Sequence, residues 1–154
     1  MTTALSFEHM FDIIIDVGGR TMIGDTGAGR RLIAEVTGGR VEGPKLNGKV
    51  LPGAAGDWVV VGSGGELRLD VRLTIETGDG ALILMKYHGF RHGPKEVLKR
   101  LDSGEAVDAS EYYFRTAPTF ETGDERYYWM NNILAVGLGD RHPGGPLYHV
   151  HQVL

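Results

Sequence analysis

Polar and apolar residues alternate most strictly between Glu66 and Arg91. Leu67, Leu69, Val71, Leu73 and Ile75 fall at every second position, with Arg68, Asp70, Arg72, Thr74 and Glu76 between them. A period of two belongs to a β-strand, whose successive side chains point to opposite faces. Thr77-Gly78-Asp79-Gly80 interrupts the pattern with glycines suited to positive φ, and Ala81–Arg91 returns as the partner strand of a hairpin. Weaker alternation predicts strands over Leu5–Asp16, Arg30–Thr37, Arg40–Gly43, Asn47–Leu51, Asp57–Gly62, Glu111–Glu121, Ile133–Arg141 and Leu147–Leu154. The glycine-rich Val17–Gly29 reads as a loop, Gly38–Gly39 as a strand break, and His142–Pro146 as the turn of a last hairpin.

Helical signals are few. Pro94–Leu101 opens on a proline tolerated in a first turn, carries Val97, Leu98 and Leu101 on one face, and stops before Gly104. Asp124 can cap a short helical turn through Met130. About ten strands with one or two short helices predict an all-β fold. Closure into an antiparallel barrel is expected, because closure removes exposed strand edges.

Composition narrows the function classes. The 154 residues suit one domain spanning 1–154. The 24 glycines are dispersed between alternating runs, as turns are. With no cysteine, disulfides, zinc–thiolate sites and cysteine nucleophiles are excluded. A net charge of −4 with scattered basic residues gives no footprint for nucleic acid. The N-terminus lacks a basic leader, and no apolar run approaches the roughly 20 residues that span a bilayer. These features predict a cytoplasmic protein without membrane contact. Gly24–Gly29 has no following Gly-Lys-Ser/Thr for a phosphate loop, and Gly62–Gly65 is a turn and no nucleophile elbow. No cofactor signature is present. His149 and His151 share a strand face without a carboxylate at matching spacing, so no metal site is assigned.

The strings GRRLIAEVTGGRVEGPKLNGKVLPGAAGDW, LRLDVRLTIETGDGALI and EYYFRTAPTFETGDERYYWMNNILAVGLGDR resemble the bacterial and fungal family called domain of unknown function 3237. The resemblance runs from about Phe7 to Val153. It implies a lipocalin-like or allene-oxide-cyclase-like barrel with an internal cavity, and it carries over no catalytic set.

Candidate chemistry depends on which strand faces look inward. A two-residue turn at Gly78-Asp79 or Asp79-Gly80 places Asp70, Arg72 and Thr74 on one face with Ile83, Met85 and Tyr87. That face is either a solvated exterior or a lumen wall carrying one acid and one base. In the lumen reading Asp70 is a general base and Arg72 an oxyanion partner, the minimal pair for elimination, isomerisation or ring closure. Tyr113 and Arg115 share a second face that could hold a carboxylate or enolate, or simply pack as aromatic filling. Tyr128 and Asn131, beside Tyr127 and Trp129, either contact ligand or cork one barrel end. Glu42, Trp58 and Tyr87 complete the candidate ligand-binding set. Two functions follow: a cofactor-free lyase, isomerase or cyclase acting on a small, oxygenated, partly apolar molecule, or a non-catalytic carrier of such a ligand. The apolar strand faces also make a homodimer plausible.

Overall fold

The computed structural model describes residues 3–154, and it is built almost wholly of one antiparallel sheet. In chain order the elements are β1 (Phe7–Asp25), β2 (Arg30–Glu42), β3 (Gly48–Val50), β4 (Gly56–Val61), β5 (Leu67–Thr77), β6 (Leu82–His92), helix α1 (Lys95–Asp102), β7 (Tyr113–Glu121), β8 (Ala135–His142) and β9 (Gly145–Val153). 3-10 helical segments occupy Ala109–Glu111 and Glu125–Asn132. The strand order β1-β9-β8-β7-β6-β5 continues through β3 and β4, which both bridge β5 to β2, and β2 pairs back onto β1. The sheet therefore closes on itself as an all-β barrel. It has nine strands against the ten or so expected, because the segments Arg30–Thr37 and Arg40–Gly43 are one strand.

Two boundaries differ from expectation for the same reason. Of the expected loop Val17–Gly29 only residues 26–29 form one: β1 runs on to Asp25 against β2, with register irregularities near Val17, Arg20 and Met22 absorbing its glycines. Gly38 and Gly39 do not break β2 either. A Cβ on Gly39 would collide with the Ile14 carbonyl oxygen, so glycine there permits close approach of the two strands.

The β5–β6 hairpin corrects the expected face sorting. Thr77 N–H donates to the Ala81 carbonyl at 2.9 Å, leaving three residues, Gly78, Asp79 and Gly80, in the turn. Gly80 takes φ +90°, as the last residue of such a turn requires. An odd-length turn reverses the parity that a two-residue turn imposes. Asp70 therefore faces His88, Arg72 faces Lys86 and Thr74 faces Leu84, while Val71 faces Tyr87 and Leu73 faces Met85. The buried face is Leu69, Val71, Leu73 and Ile75 with Ile83, Met85 and Tyr87. Asp70 and Arg72 belong to the solvated exterior, the ordinary apolar-in, polar-out arrangement of an antiparallel sheet.

The barrel interior is filled by side chains from every strand, including Ile13, Ile15, Val36, Val41, Phe120 and Val150. One end is closed by α1, which follows β6 and buries Leu98 and Leu101. The opposite end is closed by the 3-10 turn after β7, where Met130 is fully buried. Asp124 caps that turn by accepting from Arg126 N–H at 3.0 Å. No helix among the described residues is long and apolar enough to cross a membrane.

Candidate active site in the barrel interior

Alternation carries one acidic side chain among the described residues, Asp57, to the inner face. It pairs across β4 with Ala34 on β2 and Val71 on β5, both buried, and shares its face with the buried Val59. Its carboxylate Oδ1 accepts the Asp70 N–H at 3.2 Å. The β4–β5 ladder resumes only at Val60 and Arg68, so the carboxylate satisfies a backbone donor where the strands part. Burial is the chief cause that lifts the Asp57 carboxyl to about 6, and the nearby Asp70 charge adds to it against the opposing hydrogen bond.

Two buried phenols stand with it. Tyr87 follows from its pairing with Val71, and Tyr148 comes from β9. Their rings meet edge to face at 5.3 Å, and Phe114 packs on Tyr148 at 5.2 Å in the same manner. Burial pushes the Tyr87 phenol well above its usual range, with Tyr148 and the Asp57 charge adding to it. Burial raises Tyr148 too, where a hydrogen bond from Tyr87 opposes the shift and Asp57 augments it. Both phenols therefore stay protonated and can only donate or accept hydrogen bonds.

Towards the α1 end the lining turns cationic. Arg91, on the inner face of β6, is buried and its Nη2 donates to Asp102 Oδ1 at 3.1 Å. Phe114 lies across from it, and Tyr112, two residues before Phe114, donates its hydroxyl to Asp140 Oδ1 at 3.5 Å. A hollow of about 510 Å³ opens at this end between residues 104–108 and Arg141–Pro143, with Leu101 on its wall.

The remaining expected residues lie elsewhere. Asp70 approaches His88 Nε2 at 3.5 Å on the exterior, its side chain 41 % exposed. Arg72 is exposed opposite Lys86. The pair does not line a lumen, because the alternate residues of β5, Leu69, Val71, Leu73 and Ile75, are the ones buried in the core. Tyr113 and Arg115 do share a face and a cation–π contact of 5.1 Å, but that face is also external, with Tyr113 stacked on His92. Glu42 is exposed and pairs with Arg40 at 3.3 Å. Trp58 lies on the outer face of β4, covering Gly56 and lining a groove of about 380 Å³ with Ile33 and Arg20. Tyr128 is exposed. Asn131 clamps the backbone of Thr122 through both its amide atoms, at 2.8 and 3.0 Å. Only Tyr87 of the expected set reaches the interior site. Asp57, Arg91 and Tyr148 lie outside the expected set: the apolar run Trp58–Val61 hides any alternation on β4, and the inner faces of β6 and β9 follow only from the observed register.

Three histidines, His9, His149 and His151, gather on the outer side of β1 and β9. His9 Nε2 and His149 Nδ1 both contact Asp12 Oδ1, at 2.9 and 2.7 Å. Partial burial alone would raise the Asp12 carboxyl, but these two imidazoles draw it below its ordinary value. Among the described residues no group of three or more His, Asp or Glu side chains is arranged to hold a metal ion.

Comparison with known proteins places this geometry in a family. A UPF0311 protein of Rhodopseudomonas palustris is 39 % identical over 154 residues, the whole of both chains. The solved structure of the conserved R. palustris protein superposes with a TM-score of 0.93 at 38 % identity, covering 99 % of this chain and 100 % of that one. A β-barrel-like protein of Acinetobacter baumannii gives a TM-score of 0.86 at 35 % identity, covering 100 % and 99 %. More distantly, the hydroalkoxylation enzyme phnH of Penicillium herquei is 27 % identical over 135 residues, 88 % of this chain and 74 % of that one. A P. herquei enzyme structure shares the fold, with a TM-score of 0.74 at 22 % identity over 100 % of this chain and 98 % of that one. The family model described as protein of unknown function (DUF3237) matches residues 5–153, and the chain belongs to that family.

Proposed function

We propose that the protein is a cofactor-free acid–base enzyme that closes a ring in a small, partly apolar phenol or enol by adding its O–H across a carbon–carbon double bond. The observation that carries this reading is Asp57, a carboxylate held near pH 6 among buried aromatic rings. A group titrating there is mostly ionised at neutral pH and still returns a proton readily, which suits a general base that must next act as an acid. An unpaired carboxylate in an apolar setting is costly to keep unless it acts. The name of the P. herquei relative, a hydroalkoxylation enzyme, supports the reaction class.

The step balances without a co-reactant. Asp57 takes the hydroxyl proton as the oxygen bonds to one carbon of a double bond conjugated to a carbonyl. The electron pair of the double bond moves to the other carbon, which receives the proton back from Asp57. Substrate and product are isomers. Tyr148, protonated and accepting a hydrogen bond from Tyr87, would donate its own proton's hydrogen bond to the carbonyl oxygen as charge develops there.

The test is turnover of a panel of phenols bearing an ortho side chain with a conjugated enone, followed by chromatography for isomers of unchanged mass. The purified protein is expected to form the cyclic ether, and Asp57→Asn to slow it by roughly 10²-fold or more. Equal turnover by wild type and Asp57→Asn contradicts the reading. Ligand retained but never converted by the wild type favours the carrier instead.

A further inference from the structure

The row of paired residues through Asp57 ends in an arginine. Arg20 on β1 pairs with Ala34, Ala34 with Asp57, Asp57 with Val71, and Val71 with Tyr87. Residues directly opposite in a ladder share a face, so Arg20 stands on the inner face with Asp57. The bulge before it agrees: a Cβ on Gly18 or Gly19 would point towards Glu35 on the exposed outer face, and Arg20 follows on the other side. As a residue of an edge strand Arg20 also borders the outer groove beside Trp58. Strands about 4.8 Å apart put its backbone roughly 10 Å from that of Asp57, with Ala34 between them. Arg91, at the α1 end, is held by Asp102 at 3.1 Å. No carboxylate among the described residues lies within ion-pair distance of the Arg20 guanidinium.

The barrel wall is uncovered on this side. The β1–β9 ladder ends at Ile14, and one further bond runs from Val17 N–H to the Gly144 carbonyl at 3.2 Å. From Arg20 to Asp25, β1 pairs with β2 and with no other strand among the described residues. The inner face there and beside it stays partly exposed at Val17, Met22, Leu32, Val61 and Leu67. Asp57 is itself partly exposed, whereas Val71, Tyr87 and Tyr148 are buried and close its far side. A ligand that reaches the Asp57 carboxylate from solvent therefore passes over the arm and beside Arg20. A guanidinium is a planar fork that holds a carboxylate by two parallel hydrogen bonds. Like charges repel, so a ligand's carboxylate keeps away from Asp57 and settles at Arg20, which turns the opposite end of the molecule towards Asp57. A hydroxyl at that end keeps the proton that Asp57 removes.

We infer that Arg20 anchors a carboxylate carried by the substrate at the end remote from its reacting hydroxyl, so that the substrates are phenolic or enolic acids. Arg20 touches no reacting atom and acts in binding and specificity. The inference rests on the acid–base reading for the chemistry at Asp57, and it adds the charge and orientation of the substrate.

The probes are 4-(2-hydroxyphenyl)-4-oxobutanoate and its carboxamide, which lack a reactive double bond and report binding alone. Titration calorimetry of the wild type is expected to show the carboxylate binding about tenfold tighter than the amide. Arg20 is exposed, so Arg20→Met leaves the core untouched, and it is expected to remove that difference. Arg20→Lys is expected to keep part of it. Arg40→Met deletes a positive charge from the exterior and is expected to keep all of it, which separates a local anchor from net charge. With the unsaturated acid as substrate, Arg20→Met is expected to raise KM with little change in kcat. Asp57→Asn is expected to keep the carboxylate preference while losing turnover, so that the anchor and the acid–base reading fail separately. Equal binding of acid and amide by the wild type, no binding of either at millimolar concentration, or a preference that survives Arg20→Met overturns the anchor, whatever Asp57→Asn does to turnover.

Discussion

Asp57 is the residue whose placement costs the fold something. Its ordinary carboxylate value in the unfolded chain is 3.8, and burial raises it to about 6 in the barrel. A group that binds its proton more tightly when folded contributes stability that is fully present below the unfolded value and is lost as pH rises through the folded one. Between about pH 4 and pH 6 the wild type should therefore lose roughly 3 kcal/mol that an asparagine at the same place, still able to accept the Asp70 N–H, does not lose. Denaturant unfolding of wild type and Asp57→Asn is expected to give matching stabilities near pH 4 and a more stable variant at pH 7.5. A constant difference at all pH values would mean that Asp57 titrates normally. Asp12 works in the opposite sense: held low by His9 and His149, it adds stability above its unfolded value and loses it only in strong acid.

At the scale of elements, ends and turns decide more than strands do. The 3-10 turn Glu125–Asn132 closes one barrel mouth with Met130 and is tied to β7 by Asn131, whose amide both accepts the Thr122 N–H and donates to its carbonyl. Asn131→Ala leaves both backbone groups without that partner in a partly buried setting and is expected to cost about 1–3 kcal/mol. Calorimetric melting checks this, and a melting point unchanged from wild type would remove the clamp from the account. Strand existence was legible from period-two alternation, and both helical segments from a leading proline and a capping aspartate. Which face looked inward was not legible without the turn. One extra residue between Thr77 and Ala81 inverts the assignment of every side chain on β6 relative to β5. The candidate site lies instead at Asp57, which its pairing with the buried Ala34 and Val71 carries inward. Asp57 itself was obscured because it precedes a tryptophan: Trp58 attracts attention as a ligand contact, yet only its neighbour shares a face with Val59 and the interior.

For the whole molecule, closure is what gives one carboxylate its character. The ring β1-β9-β8-β7-β6-β5-β4-β2 leaves no wide opening at mid-height, and both mouths are covered, by α1 at one end and by Met130 at the other. Water is thereby kept from Asp57 on most sides, while the sheet supplies it with a single backbone donor. The same residue on an open sheet would titrate like any surface aspartate. A family resemblance read from aromatic strings such as YYFRT and YYWMNN pointed to this architecture; Tyr112 and Phe114 of the first face inward, while Tyr113 is external and the second string lies at the corked end. The polar interior comes from isolated residues on β4, β6 and β9 that no local string announces.

The central claim is that the barrel desolvates Asp57 enough to make it an acid and a base near neutrality. Carbon-13 NMR of the aspartate carboxyl groups across pH 3–9, with Asp57→Asn to assign the signal, tests it directly. The account predicts that the resonance missing from the variant titrates at about 6. A resonance that has finished titrating below pH 4.5 would contradict it.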